Sequence, residues 1–299
     1  MPLRIAFFGL PLAALLLHHD GHDIALAVLS REDSPGKRRL RRLLGADRVL
    51  LRKETTEAEL LPRVRALAPD LLVSWFWTRR LPMELVNAAR LGGIGVHPSL
   101  LPRHRGPDPY FAAIDAGDTE TGVTAHRIAA EYDTGAILGQ RRLAIDPSWN
   151  AWKLARALDR PSLALLRETV ALYAQGTPPP ELPQDESLAT RADAPDDEAC
   201  ELRWAWPTER ILRRIRALAP WPGAFTEIDD ALVVVTEARP ADAYPRVLLP
   251  GEAAVVDGLA VVRTGDGAVA LVKGRIEDEP ADAAALAALV ARARAKVIG

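Results

Sequence analysis

Three short apolar runs separated by helical patterns constrain the fold of this chain most tightly. Residues 3–8 read LRIAFF, residues 24–29 IALAVL and residues 70–77 DLLVSWFW, each rich in β-formers and bounded by turn residues. Gly9 and a helical stretch through Leu17 separate the first two. A short strand pattern over 48–51 and a helix over 56–68, opened by Thr56 as its N-cap, precede the third. Strands that alternate with helices need crossover connections, so the expected architecture is an open parallel α/β sheet. The single Gly-x-Pro after the first run is not a dinucleotide fingerprint.

A fourth strand, over 92–96, delivers its apolar run to His97-Pro98. Proline cannot continue a central strand, so the chain leaves the sheet there. Ligand sites of such sheets lie at the carboxyl ends of their strands, which makes His97 a candidate functional residue rather than a packed core histidine. A helix over 107–116 with Pro107 in its first turn should follow, then strands over 121–128 and 136–145 around the loop EYDTG. Trp75 and Trp77 should share one face of their strand, with Phe76 opposite. A long helical pattern over 152–173 is interrupted at Pro161.

Residues 176–200 change character. They are rich in proline and acid, contain no metal-ligand spacing, and read as a linker. Beyond them, Ile211, Ile215 and Leu218 form one helix face that Pro220 and Pro222 end. Short β runs such as LVVVTEA, LAVVRTGDG and AVALVKGRI then follow, and a helical pattern over 281–297 closes the chain. Several short strands in so small a span predict a small barrel of OB type. The expected domains are 1–177, a 178–200 linker and 201–299.

The net charge is −2, so no whole-molecule field draws the protein to nucleic acid or membrane. Cys200 is the lone cysteine, which excludes an internal disulfide and a cysteine metal cluster and points to a cytoplasmic setting. No apolar run reaches the ~18 residues of a membrane span. The N-terminal residues read as strand, turn and helix rather than as a signal peptide. His18, His19 and His22 read as solvated helix-end residues. Lys37, Arg38, Arg39, Arg41 and Arg42 form a basic run with two readings: a phosphate-binding patch, or a solvated amphipathic helix with Leu40, Leu43 and Leu44 turned inward.

HPSLLPRHRG from His97, TGVTAHR from Thr121 and DTGAI from Asp133 resemble the formyltransferase family that draws its one-carbon unit from 10-formyltetrahydrofolate. His97, Ser99, Leu100, Leu101, Pro102, Arg105, Gly106 and Asp133 match the family motif. Gly95 stands where that motif has asparagine. The IRALAPWPGAF segment and Pro250-Gly251-Glu252 extend the resemblance into the C-terminal half. It implies an open Rossmann-like formyltransferase sheet with a smaller OB-like C-terminal domain.

The resemblance further implies that His97 stabilises the formyl oxygen or moves a proton, with Asp133 as its carboxylate partner. Donor-site residues carried over are Arg79, Arg80, Leu81, Ser99, Leu100, Leu101, Pro102, Ala129, Ala130, Glu131 and Tyr132. Arg105 is carried over as loop-structuring or substrate-facing; Asp108, where relatives carry small or apolar residues, is placed with the substrate and, like His104 in the same loop, could reshape the site. The donor is 10-formyltetrahydrofolate, and no metal is implied. The acceptor is a primary amine. His126-Arg127 and SWFWTRR lean toward an amino-sugar nucleotide, and KRRLRR toward initiator Met-tRNA. The family's asparagine donates to the developing oxyanion, and losing one such donor typically costs about 10²–10³ in rate. Gly95 therefore leaves three readings open: another group replaces the amide, the chain performs a different one-carbon reaction such as donor hydrolysis, or it binds folate without catalysis.

Overall fold

The computed structural model describes residues 1–298. In chain order its elements are β1 (Arg4–Gly9), α1 (Pro11–His19), β2 (Asp23–Leu29), α2 (Lys37–Leu44), β3 (Val49–Leu51), α3 (Glu57–Leu67), β4 (Leu71–Trp75), α4 (Met83–Val86), β5 (Gly93–His97), α5 (Pro109–Ala116), β6 (Glu120–Arg127), β7 (Ile137–Ala144) and α6 (Ala151–Gln175). There follow α7 (Asp197–Cys200), α8 (Thr208–Leu218), β8 (Ala224–Ile228), β9 (Ala231–Pro240), β10 (Ala253–Val256), β11 (Leu259–Arg263), β12 (Ala268–Ile276), β13 (Glu279–Asp282) and α9 (Ala283–Ile298). Two compact units divide the chain. One holds residues 1–107, 120–144 and 157–192; the other holds 108–119, 145–156 and the chain from 193 onward.

The first unit is an α/β layer around a seven-stranded sheet ordered β3-β2-β1-β4-β5-β6-β7. Strands β1 to β5 pair in parallel, as the alternation of strand and helix requires. Strands β6 and β7 do not: β5–β6 and β6–β7 are antiparallel. For β6–β7 the reason is connection length, because a parallel pair needs a crossover and the 128–136 loop is too short to supply one; β5 and β6 are joined by the longer 98–119 segment, so length does not fix their direction. Phe7, Phe8, Leu26, Val28, Leu71 and Leu72 are fully buried, which accounts for the unbroken apolar runs of β1, β2 and β4.

Several local expectations need correction. Phe76 takes a φ of 55°, so β4 ends at Trp75 and the Trp75/Trp77 alternation stops with it. Trp75 Nε1 donates to Ser162 Oγ at 2.5 Å, whereas Trp77 packs edge-on to Phe8 at 5.3 Å between ring centroids. In α2 only Leu40 is fully buried, and Leu43 is 48 % exposed. Burying Leu40 contributes roughly 1.5–3 kcal/mol and holds the arginine-rich helix to the sheet. His22 is buried, not solvated: its Nδ1 accepts from the Leu3 amide at 3.2 Å. α6 runs through Pro161 without a break. α3 is opened by Thr56 as its sequence predicts, and Glu59 completes a capping box with it.

The stretch read as a linker is anchored to the first unit over residues 182–192. Leu182 bridges Ile137, and Arg191 bridges Arg105. Its low apolar content concealed this, because backbone and polar side chains make the attachment.

In the second unit, β10-β11-β12-β9-β8 form an antiparallel sheet and β13 adds to β12, giving the β-rich domain that the short strands predict. Ile211, Ile215 and Leu218 of α8 are buried with Val233, Val235, Val269 and Leu271 in its core. Arg214 is buried and paired with Asp115 at 2.7 Å, and Arg210 meets the same carboxylate at 3.1 Å. α5 begins at Pro109, not Pro107, because Asp108 is its N-cap and accepts from the Phe111 amide at 3.0 Å. Among the described residues no helix is long and apolar enough to cross a membrane.

Candidate active site

The antiparallel register of β5 and β6 sets the site. Gly95 pairs with His126 and His97 with Thr124. Alternate residues of a strand share a face, so Gly95, His97, Thr124 and His126 lie on one face of the sheet. His97 is the last residue of β5 and only 7 % exposed. Its Nδ1 lies 3.5 Å from Asp133 Oδ2, and its Nε2 lies 2.8 Å from the His104 carbonyl oxygen. His126 Nε2 lies 3.7 Å from Asp133 Oδ1. One carboxylate therefore sits between two imidazoles.

Asp133 reaches this place through a backbone that side chains rarely adopt, with φ at 58°. The Gly106 amide donates to its Oδ2 at 3.0 Å, and Gln184 Nε2 donates to its carbonyl at 2.7 Å. The neighbouring Gly135 must be glycine: a Cβ there would lie 1.9 Å from the Arg127 carbonyl oxygen. Burial pushes the His126 imidazole below the ordinary histidine value of 6.5; the Asp133 charge opposes this and the His97 charge adds to it.

The loop after His97 is pinned from both sides. Thr124 Oγ1 donates to the Ser99 carbonyl at 2.7 Å and accepts from the Leu101 amide at 3.0 Å. Gln140 Nε2 donates to the Leu101 carbonyl at 2.9 Å. On the other side, the His104 amide donates to Thr190 Oγ1 at 2.9 Å and the Ala192 amide to the Arg105 carbonyl at 2.7 Å. Gly106, with φ at 123°, passes so near Ala192 that a Cβ would meet its carbonyl oxygen at 2.9 Å.

Of the residues selected from sequence, the structure brings together His97, Asp133, Gly95 and the 99–102 loop. Ser99 is fully buried and donates to the Arg103 carbonyl at 2.6 Å, so its hydroxyl serves the loop. Leu100 and Pro102 are half-buried on the same loop, and Leu101 is buried. Of Arg105's two readings, the loop-structuring one describes its guanidinium, which binds Glu186 at 2.7 Å and Gln184 at 2.7 Å. Asp108 is committed to capping α5, and burial raises its carboxyl above the usual range. Arg79 and Arg80 are exposed, whereas the Leu81 side chain is buried in the core. Arg80 comes within 3.9 Å of Glu131, so the 79–81 and 129–132 loops meet. Ala130, Glu131 and Tyr132 are exposed there, and Ala129 is half-buried.

Sequence reasoning missed Thr124, Gln140, Gln184 and Thr190, and used His126 only as a marker of acceptor class. For Thr124 and His126 a signal existed in their two-residue spacing on one strand. For Gln184 and Thr190 there was none, since polar anchors leave no periodicity.

Residues 16–170 match the family model described as formyl transferase, and residues 196–288 match its C-terminal domain. A methionyl-tRNA formyltransferase of Anaeromyxobacter dehalogenans strain 2CP-1 is 36 % identical over 94 % of this chain and 95 % of its own length. That of Roseiflexus sp. strain RS-1 is 34 % identical over 91 % of this chain and 87 % of its own. Among solved structures, HypX from Aquifex aeolicus in complex with tetrahydrofolic acid matches 92 % of this chain with a TM-score of 0.66 at 21 % identity. This chain spans only 44 % of that protein. The N-formyltransferase from Helicobacter canadensis, in complex with folinic acid and dTDP-3-aminofucose, matches 91 % of this chain and 100 % of its own with a TM-score of 0.67 at 15 % identity. These two likenesses concern the fold. The two family models and the relatives' full-length identity establish that this chain belongs to the formyltransferase family.

Proposed function

We propose that this protein transfers the formyl group of 10-formyltetrahydrofolate to the amino group of initiator Met-tRNA. The observation that carries the reading is the full-length identity of 34–37 % to methionyl-tRNA formyltransferases. The sequence-based lean toward an amino-sugar acceptor is set aside accordingly. The sugar formyltransferases resemble this chain at 14–21 % identity, a level that speaks to fold and not to acceptor.

The basic helix supports the same acceptor. Arg38, Arg39, Arg41 and Arg42 of α2 are all exposed, and none of them forms an ion pair among the described residues. Unpaired cations on one short helix suit a phosphate backbone, whose binding releases condensed counterions. Arg38, Arg39 and Arg42 line a cavity of about 760 Å³ together with Glu32, Asp33 and Lys37.

Formyl transfer needs a neutral amine, stabilisation of the negative charge that grows on the formyl oxygen, and an acceptor for the amine proton. In this reading His97 turns the Nε2–H that meets the His104 carbonyl toward that oxygen when the donor binds, and Asp133, fixed by Gly106 and Gln184, orients the ring through Nδ1. The donor's ring is held by the 79–81 and 129–132 loops, which Arg80 and Glu131 bring together, and by the 99–102 loop. The test supplies 10-formyltetrahydrofolate with Met-tRNA or with an amino-sugar nucleotide and measures formylated product. Formyl-methionyl-tRNA is the expected product. Formylation of the sugar alone would reverse the acceptor assignment.

A further inference from the structure

The formyl-transfer reading leaves a gap at Gly95, and the structure shows what borders it. A Cβ built on Gly95 would lie 3.5 Å from His126 Nε2 and 3.7 Å from the Ser74 carbonyl oxygen. The His126 ring thus stands at the edge of the space that a longer side chain at 95 would enter.

The two imidazoles beside Asp133 are not equivalent. His126 Nδ1 lies 2.8 Å from the Arg127 carbonyl oxygen, which can only accept, so the proton of the neutral ring sits on Nδ1. Nε2 is left with a lone pair on the side of Gly95 and Asp133. At His97 both ring nitrogens face acceptors, the Asp133 carboxylate and the His104 carbonyl. The surroundings of His97 thus offer only acceptors, and His126 Nε2 is arranged to receive a proton.

Resting on the formyl-transfer reading, we propose that His126 is the base of the reaction, its Nε2 taking the proton of the attacking amine across the opening that Gly95 leaves. The amine nitrogen forms a bond to the formyl carbon and gives its proton to His126. The bond between the formyl carbon and the donor nitrogen then breaks, and that nitrogen takes the proton back from His126. Protons and electron pairs balance without any further reactant. Burial favours the neutral ring that this role requires. The titratable groups acting on the ring are Asp133, from the 128–136 loop, and His97, from β5. The neighbouring strands β4 and β7 present the Ser74 carbonyl and Ile137, which do not titrate.

The experiment measures amine-dependent turnover from pH 5.5 to 8.5 for wild type, His126→Ala and His126→Gln, together with ¹⁵N NMR of the wild-type histidines. We expect His126→Ala to lower kcat by about 10²–10⁴-fold, with little change in KM for the donor. It should also remove the acid limb of the pH profile, and added imidazole should restore part of the rate. His126→Gln keeps a hydrogen-bond donor but no base, so it should be as impaired as His126→Ala. The NMR should show the Nδ1–H form of His126 at pH 7.5. Near-wild-type turnover in His126→Ala, restoration by Gln, an unchanged pH profile, or the opposite tautomer would each overturn the base assignment. If the wild type shows no amine-dependent turnover at all, the formyl-transfer reading fails, and the base role falls with it.

Discussion

Gln184 donates one amide hydrogen bond to the Asp133 carbonyl and one to the Gly135 carbonyl, each at 2.7 Å. The same side chain accepts from Arg105 Nε and Nη2 through its oxygen. A residue of the apparent linker therefore ties the aspartate loop to the loop that follows His97. Asp133 needs this tie because its positive φ costs about 1–3 kcal/mol unless its surroundings hold it.

Gln184→Ala should loosen both loops at once. Each hydrogen bond removed is worth about 0.5–1.5 kcal/mol. We expect a measurable fall in Tm and a several-fold loss of kcat, which thermal melts and steady-state assays would detect. Unchanged activity would mean that Asp133 is held adequately without it. Gln184→Glu removes the two amide donors and should not rescue.

Gly95 probes the same site from the opposite strand. A single Cβ there meets only ordinary contacts, so Gly95→Ala should fold and retain most activity. Gly95→Asn extends further toward the His126 ring. It should lower kcat in the wild-type background, because the added amide crowds Nε2. A rise in kcat on Gly95→Asn would show that the missing amide had been limiting and that His126 had not replaced it.

The fold was largely legible in the sequence, and the reasons are physical. β1, β2 and β4 are buried on both sides, so their apolar runs are nearly unbroken. Thr56 announced the start of α3. The short loop between β6 and β7 already favoured an antiparallel pair, but the direction of β6 against β5 was not legible, since side-chain alternation is the same in parallel and antiparallel pairs. Within the site, His97 and Asp133 stood out through the family motif, but His126 did not, because its meaning depends on lying opposite Gly95. Leu43 shows the same limit on a smaller scale: helical spacing marked it as inward, yet α2 is short and only Leu40 reaches the core.

The arginines of α2 should matter for tRNA and not for the donor. Replacing Arg38, Arg39, Arg41 and Arg42 together with Ala should raise KM for Met-tRNA and leave KM for 10-formyltetrahydrofolate unchanged. The salt dependence of tRNA binding should flatten, by a slope of about 0.7–0.9 for each phosphate that the helix no longer neutralises. An unchanged salt slope would place the tRNA elsewhere. Leu40 is left intact because it anchors the helix.

His22 gives a prediction for stability against pH. Its burial lowers the folded-state value below 6.5, with Asp20 opposing the shift. The unfolded chain therefore takes up the proton first as pH falls. Stability should be full above about pH 6.5 and decline below it, by at most ~1.4 kcal/mol per pH unit for this one group. His126 contributes in the same direction. His22→Gln keeps an acceptor for the Leu3 amide without titrating, so its Tm should fall less between pH 7.5 and 5.5. An equal fall would assign the acid sensitivity to other groups.

The most direct measurement follows a labelled formyl group from 10-formyltetrahydrofolate into Met-tRNA, with wild type, His97→Ala and Asp133→Asn assayed side by side. Formyl transfer centred on His97 and Asp133 predicts label in formyl-methionyl-tRNA with wild type, donor consumption that depends on the acceptor, and a loss of at least about 10²-fold with either variant. Release of free formate at the same rate with and without Met-tRNA, or product formation that survives His97→Ala, would contradict it.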